Sequence, residues 1–414
     1  MRLVNTRSFN LVDFSGSAIP KYAILSHTWG EGKVSFQEWD DKDLAAKKAG
    51  YKKIIAACKQ AQADNLEYLW VDTNCIDKNS SAELSEAVNS MFVWYARSDR
   101  CYVYLADFVQ TPSSNAEIAE PAVSSGLATS SEPLDIEQLR QCRWFTRGWT
   151  LQELLAPKTV IFFDLNWQRF GEKGDEKFRT QLSEITGIDA ECLENRHSIF
   201  TASVSARMSW AASRRAAGEE DIAYCLLGIF GINMPLLYGE GRRAFLRLQE
   251  EIIRISNDQT IFCWSYPNEA RVGEAWDSVL APHPCVFAGG GTYIPNPYRS
   301  IGYSLTNNGL EIPLDIIEID NDYSVAYLAA VTVNGNQLAL ILRRSGDMQC
   351  RNPRDRLRSI PFNRYDAQRF RHQQFRLKYR TTPTWAESET LWPLQQPHSS
   401  LVLLPFDDKV FVFS

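Results

Sequence analysis

The chain has 414 residues, 44% of them hydrophobic and 12% aromatic, and its 44 Lys and Arg against 50 Asp and Glu give a formal charge of −6. That length accommodates roughly two or three domains with real cores. The acidic balance excludes a general nucleic-acid binder, which carries a basic field.

The nine cysteines fall singly without C-x-x-C spacing, and the five histidines form no ligand pair. Neither a disulfide framework nor a metal site is expected. The first residues are polar where a signal peptide has an apolar core. The most apolar stretch, 222–238, is interrupted by Gly228, Gly231 and Pro235, which argues against a membrane span. A cytoplasmic, reduced chain is the expectation.

In chain order, strands are expected at 22–26, 68–72, 101–105 and 159–163, short runs rich in β-branched and aromatic residues. Between the first two, Leu44, Ile54, Ile55, Cys58 and Ala61 recur at helical spacing. Ser80-Ser81-Ala82-Glu83 is a capping-box pattern, opening a helix with Leu84, Val88, Met91, Phe92 and Tyr95 on one face. Alternating strands and helices predict an α/β domain over 1–165, a parallel sheet flanked by helices. Within it, residues 110–137 contain no aromatic and no basic side chain, which predicts a mobile insertion. Residues 166–262 read as a helical extension, including 203–217 and 242–256. From 263 to 414 the hydrophobic period becomes two, with strands at 310–316, 323–333, 337–342, 400–404 and 409–413. Asn334-Gly335 supplies a hairpin turn, so a C-terminal all-β module is expected.

Open α/β sheets bind ligands beyond the carboxyl ends of their strands. That edge collects Ser26, His27, Trp29, Gly30 and Glu31 after the first strand, and Asp72, Thr73, Asn74 and Asp77 after the second. Arg147, Trp149 and Glu153 follow the third. Helical spacing puts Trp149 and Glu153 on one outward face, with Leu151, Leu154 and Leu155 turned to the core. A solvated helix glutamate is the bland alternative. His27 reads as a base, a ribose ligand or a structural residue, and Asp72 and Asp77 as ligand-positioning groups or turn caps. Cys75 and Cys142 have no histidine nearby to make them nucleophiles. Gly239 to Arg243 lacks the phosphate-loop pattern and reads as a turn, as do Gly289 to Gly291. Trp144, Trp149 and Trp210 read equally well as core.

Three blocks carry a family resemblance. Tyr22-Ala-Ile-Leu-Ser-His-Thr-Trp-Gly30, Leu69-Trp-Val-Asp-Thr-Asn-Cys-Ile-Asp-Lys78 with Ser81-Ala-Glu-Leu-Ser-Glu-Ala-Val-Asn89, and Arg143-Trp-Phe-Thr-Arg-Gly-Trp-Thr-Leu-Gln-Glu-Leu-Leu-Ala-Pro157 closely resemble the signature blocks of fungal heterokaryon-incompatibility (HET) domain proteins. The likeness continues through 203–212 and 226–241. It implies a fungal protein of self/non-self recognition and regulated cell death.

A second resemblance bears on chemistry. Trp149-Thr-Leu-Gln-Glu-Leu154 is similar to the W-C-L-D-E-L block of plant Toll/interleukin-receptor (TIR) domains, with Thr150 in place of the cysteine. This implies a TIR-like, flavodoxin-like sheet and cleavage of NAD⁺ as substrate, with Glu153 as the catalytic carboxylate. Ser26, His27, Trp29, Gly30, Asp72, Arg147 and Trp149 would then surround the dinucleotide. Arg147 would pair with its pyrophosphate, and Trp149 or Trp29 would stack on a ring. On this reading Glu153 is ionised at neutral pH and needs no pKa shift. No cofactor is implied. The implied partners are NAD⁺, further copies of the chain in a homo-oligomer and an upstream cell-death receptor protein, with neither nucleic acid nor membrane. The alternative is a non-enzymatic death-signalling or nucleotide-sensing interaction module.

Overall fold

The computed structural model describes residues 1–110, 134–266, 276, 278–296, 302–307, 309–345, 348–351, 357–360 and 371–377. Its first strands, β1 (Arg2–Asn5) and β2 (Leu11–Asp13), form a short antiparallel pair. The four apolar runs follow as β3 (Ala23–His27), β4 (Tyr68–Trp70), β5 (Arg100–Tyr104) and β6 (Val160–Phe163), and β7 (Arg169–Glu172) comes last. The order across the sheet is β2-β1-β4-β3-β5-β6-β7. β3 runs parallel to β4 and β5, and β5 to β6. β1 and β7 join antiparallel.

The sheet is therefore mixed, with the expected parallel core extended at both edges. β1, β2 and β7 have three or four residues each, too few to show an alternating pattern. Numbered by their appearance, the parallel strands lie in the order 2-1-3-4. The chain thus reverses its direction of travel beside β3, and such a reversal opens a crevice at the carboxyl ends of the strands. Every residue of β3 and β6 is buried, as expected of strands covered on both faces.

Helices Ala49–Ala63 and Ser81–Arg97 link β3 to β4 and β4 to β5. Ser80 Oγ caps the second of these by accepting from Glu83 N at 3.3 Å. Glu83 does not complete the expected box. Its carboxylate accepts instead from Arg2 Nη1 at 2.9 Å and from Asp77 N at 2.8 Å, tying β1 to the turn after β4.

The expected helix over 203–217 is cut to Val204–Ser209. Beyond it, Arg215 N donates to Thr146 O at 2.7 Å and Gly148 N donates to Arg215 O at 2.8 Å. Bonds to a distant segment thus replace the helical ladder. Gly148 fits this crossing because a Cβ there would stand 3.0 Å from Cys225 Sγ. Helix Arg243–Ile255 forms where its apolar face predicts. Among the described residues no helix is long and apolar enough to cross a membrane.

The second sheet comprises β8 (Tyr293–Pro295), β9 (Ser304–Thr306), β10 (Gly309–Glu318), β11 (Tyr323–Thr332), β12 (Gln337–Ser345), β13 (Met348–Arg351), β14 (Arg358–Ile360) and β15 (Arg371–Leu377). Its pairings are antiparallel except β13 with β15. Pairing runs β12-β13-β15-β10-β11 and back to β12, so the ladder closes on itself. Leu310, Ile312, Leu314 and Ile316 point inward with period two. At the expected Asn334-Gly335 turn, Gly335 has φ +80°, a conformation glycine adopts without strain. Gln259 Oε1 accepts from Ala329 N at 2.6 Å, and Arg351 Nη1 donates to Phe262 O at 2.9 Å, so this sheet is pinned to the segment before it. Most of the insertion expected at 110–137, and the strands expected at 400–404 and 409–413, lie outside the described residues.

Candidate active site at the carboxyl edge of the first sheet

β3 delivers Ser26 and His27 to the crevice, both buried. Opposite them, helix Thr150–Leu155 presents Glu153. Its six residues are all buried: Gln152 packs against Met91 of the Ser81–Arg97 helix, and Arg214 of the helical region bonds Thr150. Glu153 is thus not a surface carboxylate. It retains 7% exposure.

The Ser26 hydroxyl donates to Glu153 Oε2 and accepts from Trp144 Nε1 at 2.7 Å. Tyr95 Oη donates its one hydrogen to Leu25 O at 3.2 Å, and its hydroxyl also acts on the Glu153 carboxyl. Burial is the largest influence on the carboxyl and pushes its pKa up to about 8, with Asp72 adding to the rise. The Ser26 bond, the Tyr95 hydroxyl and the charge of Arg214 pull the other way. The expectation of an unshifted glutamate is corrected accordingly, since desolvation penalises the charged form more than these donors restore it.

His27 follows Ser26 on β3, and strand alternation turns its side chain to the other face of the sheet. Burial, reinforced by Lys53 and Lys78, holds its pKa well below the ordinary value, so the imidazole is neutral. Its Nε2 is 3.9 Å from Asp72 Oδ1, beyond hydrogen-bond reach, and its buried Nδ1 has no partner among the described residues. Asn74 Nδ2, after β4, is likewise buried and unpartnered. Unsatisfied buried polar atoms are rare in native proteins, and these are two of them.

Asp72 is the hinge of the outer site. It accepts from Trp29 Nε1 at 2.7 Å and lies 3.8 Å from Lys78 Nζ. Trp29 is 40% exposed, and Gly30 is exposed with open space where a Cβ would stand. Gly30 touches nothing that requires glycine.

Arg147 and Trp149 make contacts toward the helical region. Arg147 caps Arg143–Thr146 and uses its carbonyl to accept from Arg214 Nη1 at 2.9 Å. The arginine whose charge reaches Glu153 is Arg214, itself buried. Trp149 gives its indole N–H to Asp221, so it borders the crevice from the side of the helical region instead of sharing a face with Glu153. Asp221 also accepts from Tyr238 Oη at 3.2 Å. Asp77 accepts from Asn79 N at 3.0 Å within its own turn. Cys75 and Cys142 are buried thiols whose pKa burial pushes up to about 12, which disqualifies both as nucleophiles. In the 239–243 turn, Gly239 N and Gly241 N both donate to Glu220 Oε1, at 2.8 and 2.9 Å. A carboxylate already occupies the amides a phosphate would want.

Sequence reasoning missed Tyr95, Trp144 and Arg214. Tyr95 and Trp144 looked like core and are core, each with one polar atom spent on the site. The crevice, from the end of β3 to helix Thr150–Leu155, spans a stretch with a known counterpart. Residues 22–153 match the family described as Heterokaryon incompatibility protein (HET). This HET stretch begins one residue before β3 and ends on Glu153. Over 243 residues the chain is 43% identical to the vegetative incompatibility protein HET-E-1 of Podospora anserina, a match covering 58% of this chain. The chain accounts for 17% of that relative's length. No solved structure matches the chain.

Proposed function

We propose that this chain acts in fungal heterokaryon incompatibility as an NAD⁺ glycohydrolase, with Glu153 as the catalytic carboxylate of a TIR-like module. One observation carries the reading: a buried carboxyl accepts from Ser26, whose hydroxyl is fixed by Trp144, at the carboxyl edge of the central parallel strand. The 2-1-3-4 order of the parallel strands supports it.

In the reaction, the bond between ribose C1′ and the nicotinamide nitrogen breaks. Its electron pair stays on the ring nitrogen, which becomes neutral, so no acid is needed for departure. The ribose is left as an oxocarbenium-like cation, and ionised Glu153 opposes that charge at short range in a site nearly free of water. Water adds to C1′ and one proton is released, giving ADP-ribose. Glycoside hydrolases usually need two carboxylates because their leaving group must be protonated, and here one suffices. Ser26 holds the carboxylate oriented, and a cationic substrate favours its ionised form.

The raised pKa of Glu153 favours a second reading, nucleotide sensing, in which a neutral carboxyl binds the ribose without turnover. Incubating the purified full chain with NAD⁺ and following nicotinamide release separates the two. Release proportional to enzyme supports glycohydrolysis. Binding of NAD⁺ without release, at high protein concentration and alkaline pH, leaves the sensing reading and ends the enzymatic one. Assembly of several copies belongs to the same proposal, and specific activity then rises with protein concentration.

A further inference from the structure

Three lysines converge on the outer half of the crevice. Lys78 Nζ lies 3.7 Å from the Trp29 ring centroid and Lys33 Nζ lies 5.0 Å from it. Lys53, from the Ala49–Ala63 helix, donates to Thr28 O at 3.3 Å. The three come from separate segments, the turn after β3, the following helix and the loop after β4, so helical or strand periodicity does not explain their meeting. The carboxylates whose charges reach Lys53 and Lys78 are Asp72 and Asp221. A chain of net charge −6 thus concentrates cations at one sheet edge.

Lys173 shows what a structural lysine looks like in the same protein. It is buried and donates to the carbonyls of Leu154 and Pro157 at 3.0 and 2.6 Å. Lys78 differs. About two-thirds of its side chain is withdrawn from solvent, yet its ammonium stays 3.8 Å from Asp72 Oδ2. Burial lowers the pKa of both Lys53 and Lys78, a cost that a structural ion pair at closer range would relieve. Trp29 acts as the fixture of this arrangement. Its indole N–H is anchored on Asp72, and its face carries Lys78.

We propose that Lys33 and Lys78, set over the anchored Trp29 ring, and Lys53, bonded to the neighbouring Thr28 carbonyl, bind the pyrophosphate bridge of a dinucleotide, the role that the TIR resemblance implies for Arg147. The inference deepens the reading of the Glu153 edge as a nucleotide site and rests on it. Pyrophosphate is a compact dianion, and ammonium groups held part-way out of water bind it by charge-assisted hydrogen bonds. It lies one ribose from the nicotinamide bond, and Asp72 joins the two halves of the crevice by contacting Lys78 on one side while its charge reaches Glu153 on the other.

The test compares ADP-ribose with adenosine, which lacks the phosphates, by titration calorimetry on the full chain. ADP-ribose is expected to bind at least about tenfold tighter and to lose that advantage as salt rises, because the gain is electrostatic. Lys53→Gln and Lys78→Gln are each expected to weaken ADP-ribose by about tenfold while leaving adenosine unchanged. The salt dependence of the unmodified chain decides the matter even where a variant folds poorly. Equal affinity for the two ligands, absence of binding by either, or full ADP-ribose affinity in folded lysine variants each overturns the proposal. Nicotinamide release plays no part in these measurements. A chain that binds ADP-ribose through its lysines yet never cleaves NAD⁺ sinks the glycohydrolase reading alone, and one that cleaves NAD⁺ with the lysines replaced sinks this one alone.

Discussion

Trp144 Nε1 donates to the Ser26 hydroxyl at 2.7 Å, and an indole N–H can only donate. Ser26 must therefore accept from Trp144, and its own hydrogen is directed at Glu153. A hydroxyl that would otherwise rotate freely becomes a fixed donor. The carboxyl it serves gains orientation without gaining a counter-ion.

Glu153→Gln removes the charge and keeps the size. Nicotinamide release is expected to fall about 10²–10³-fold in kcat, the usual loss of a group that stabilises charge in the transition state, with little change in NAD⁺ affinity. Steady-state kinetics on the purified variant measure this. Parental kcat in a folded variant removes Glu153 from catalysis.

The pH dependence follows from the same residue. Glu153 has to lose its proton to act, and its pKa in the free protein is about 8. The rate constant kcat/KM, which reports free-enzyme groups, should climb through that region and level off above it. A profile flat across neutral and mildly alkaline pH contradicts the assignment.

Stability should respond with the opposite sign. The folded pKa is raised from the ordinary 4.5 to about 8, so the contribution of this group is fully present below 4.5 and is lost as pH rises through 8. Between those limits the native state of the parent should lose roughly 1 kcal/mol per pH unit relative to the Gln variant. Denaturant melts of both proteins at several pH values read the difference directly. A constant gap means the carboxyl titrates normally.

Ser26→Ala tests orientation separately from charge. The Ser26 bond lowers the Glu153 pKa, so its removal should shift the kcat/KM midpoint upward as well as reduce the plateau. A reduced plateau with the midpoint unmoved would mean that Ser26 acts on the substrate and not through Glu153.

Lys173→Met addresses the support beneath the site. The lysine satisfies the carbonyls of Leu154 and Pro157 at the end of the helix carrying Glu153. Leaving buried carbonyls unpaired costs about 1–3 kcal/mol, visible as an earlier denaturant midpoint. A midpoint equal to the parent's would show that water takes over both carbonyls.

The cores of both sheets were legible because their determinants are local. Residues 22–25 and 160–163 are apolar without break, and 310–316 alternates, so each announces a strand and its environment. The edge-strands β1, β2 and β7 are too short to announce anything. Glu153 was legible as a candidate through the block around it, but its burial was not. The cover over helix Thr150–Leu155 includes Met91 and Arg214, which lie about 60 residues away on either side, and no local period encodes that. The same reason hides Lys53 and Lys78. Each reads as an ordinary solvated lysine until Trp29 and Asp72 are placed between them.

The HET match closes on Glu153, yet the surroundings of that carboxyl do not. Arg214 supplies charge to it, Asp221 holds Trp149, and Tyr238 holds Asp221. The identity to the Podospora anserina relative also runs over 243 residues, well beyond the length of 22–153. A gene fusion that transplants only 22–153 would carry the three signature blocks and leave behind the residues that contact Glu153 and Trp149 from beyond it. A piece that keeps these contacts extends to Tyr238, and a fusion joined upstream of that residue should lose the Tyr238–Asp221 bond.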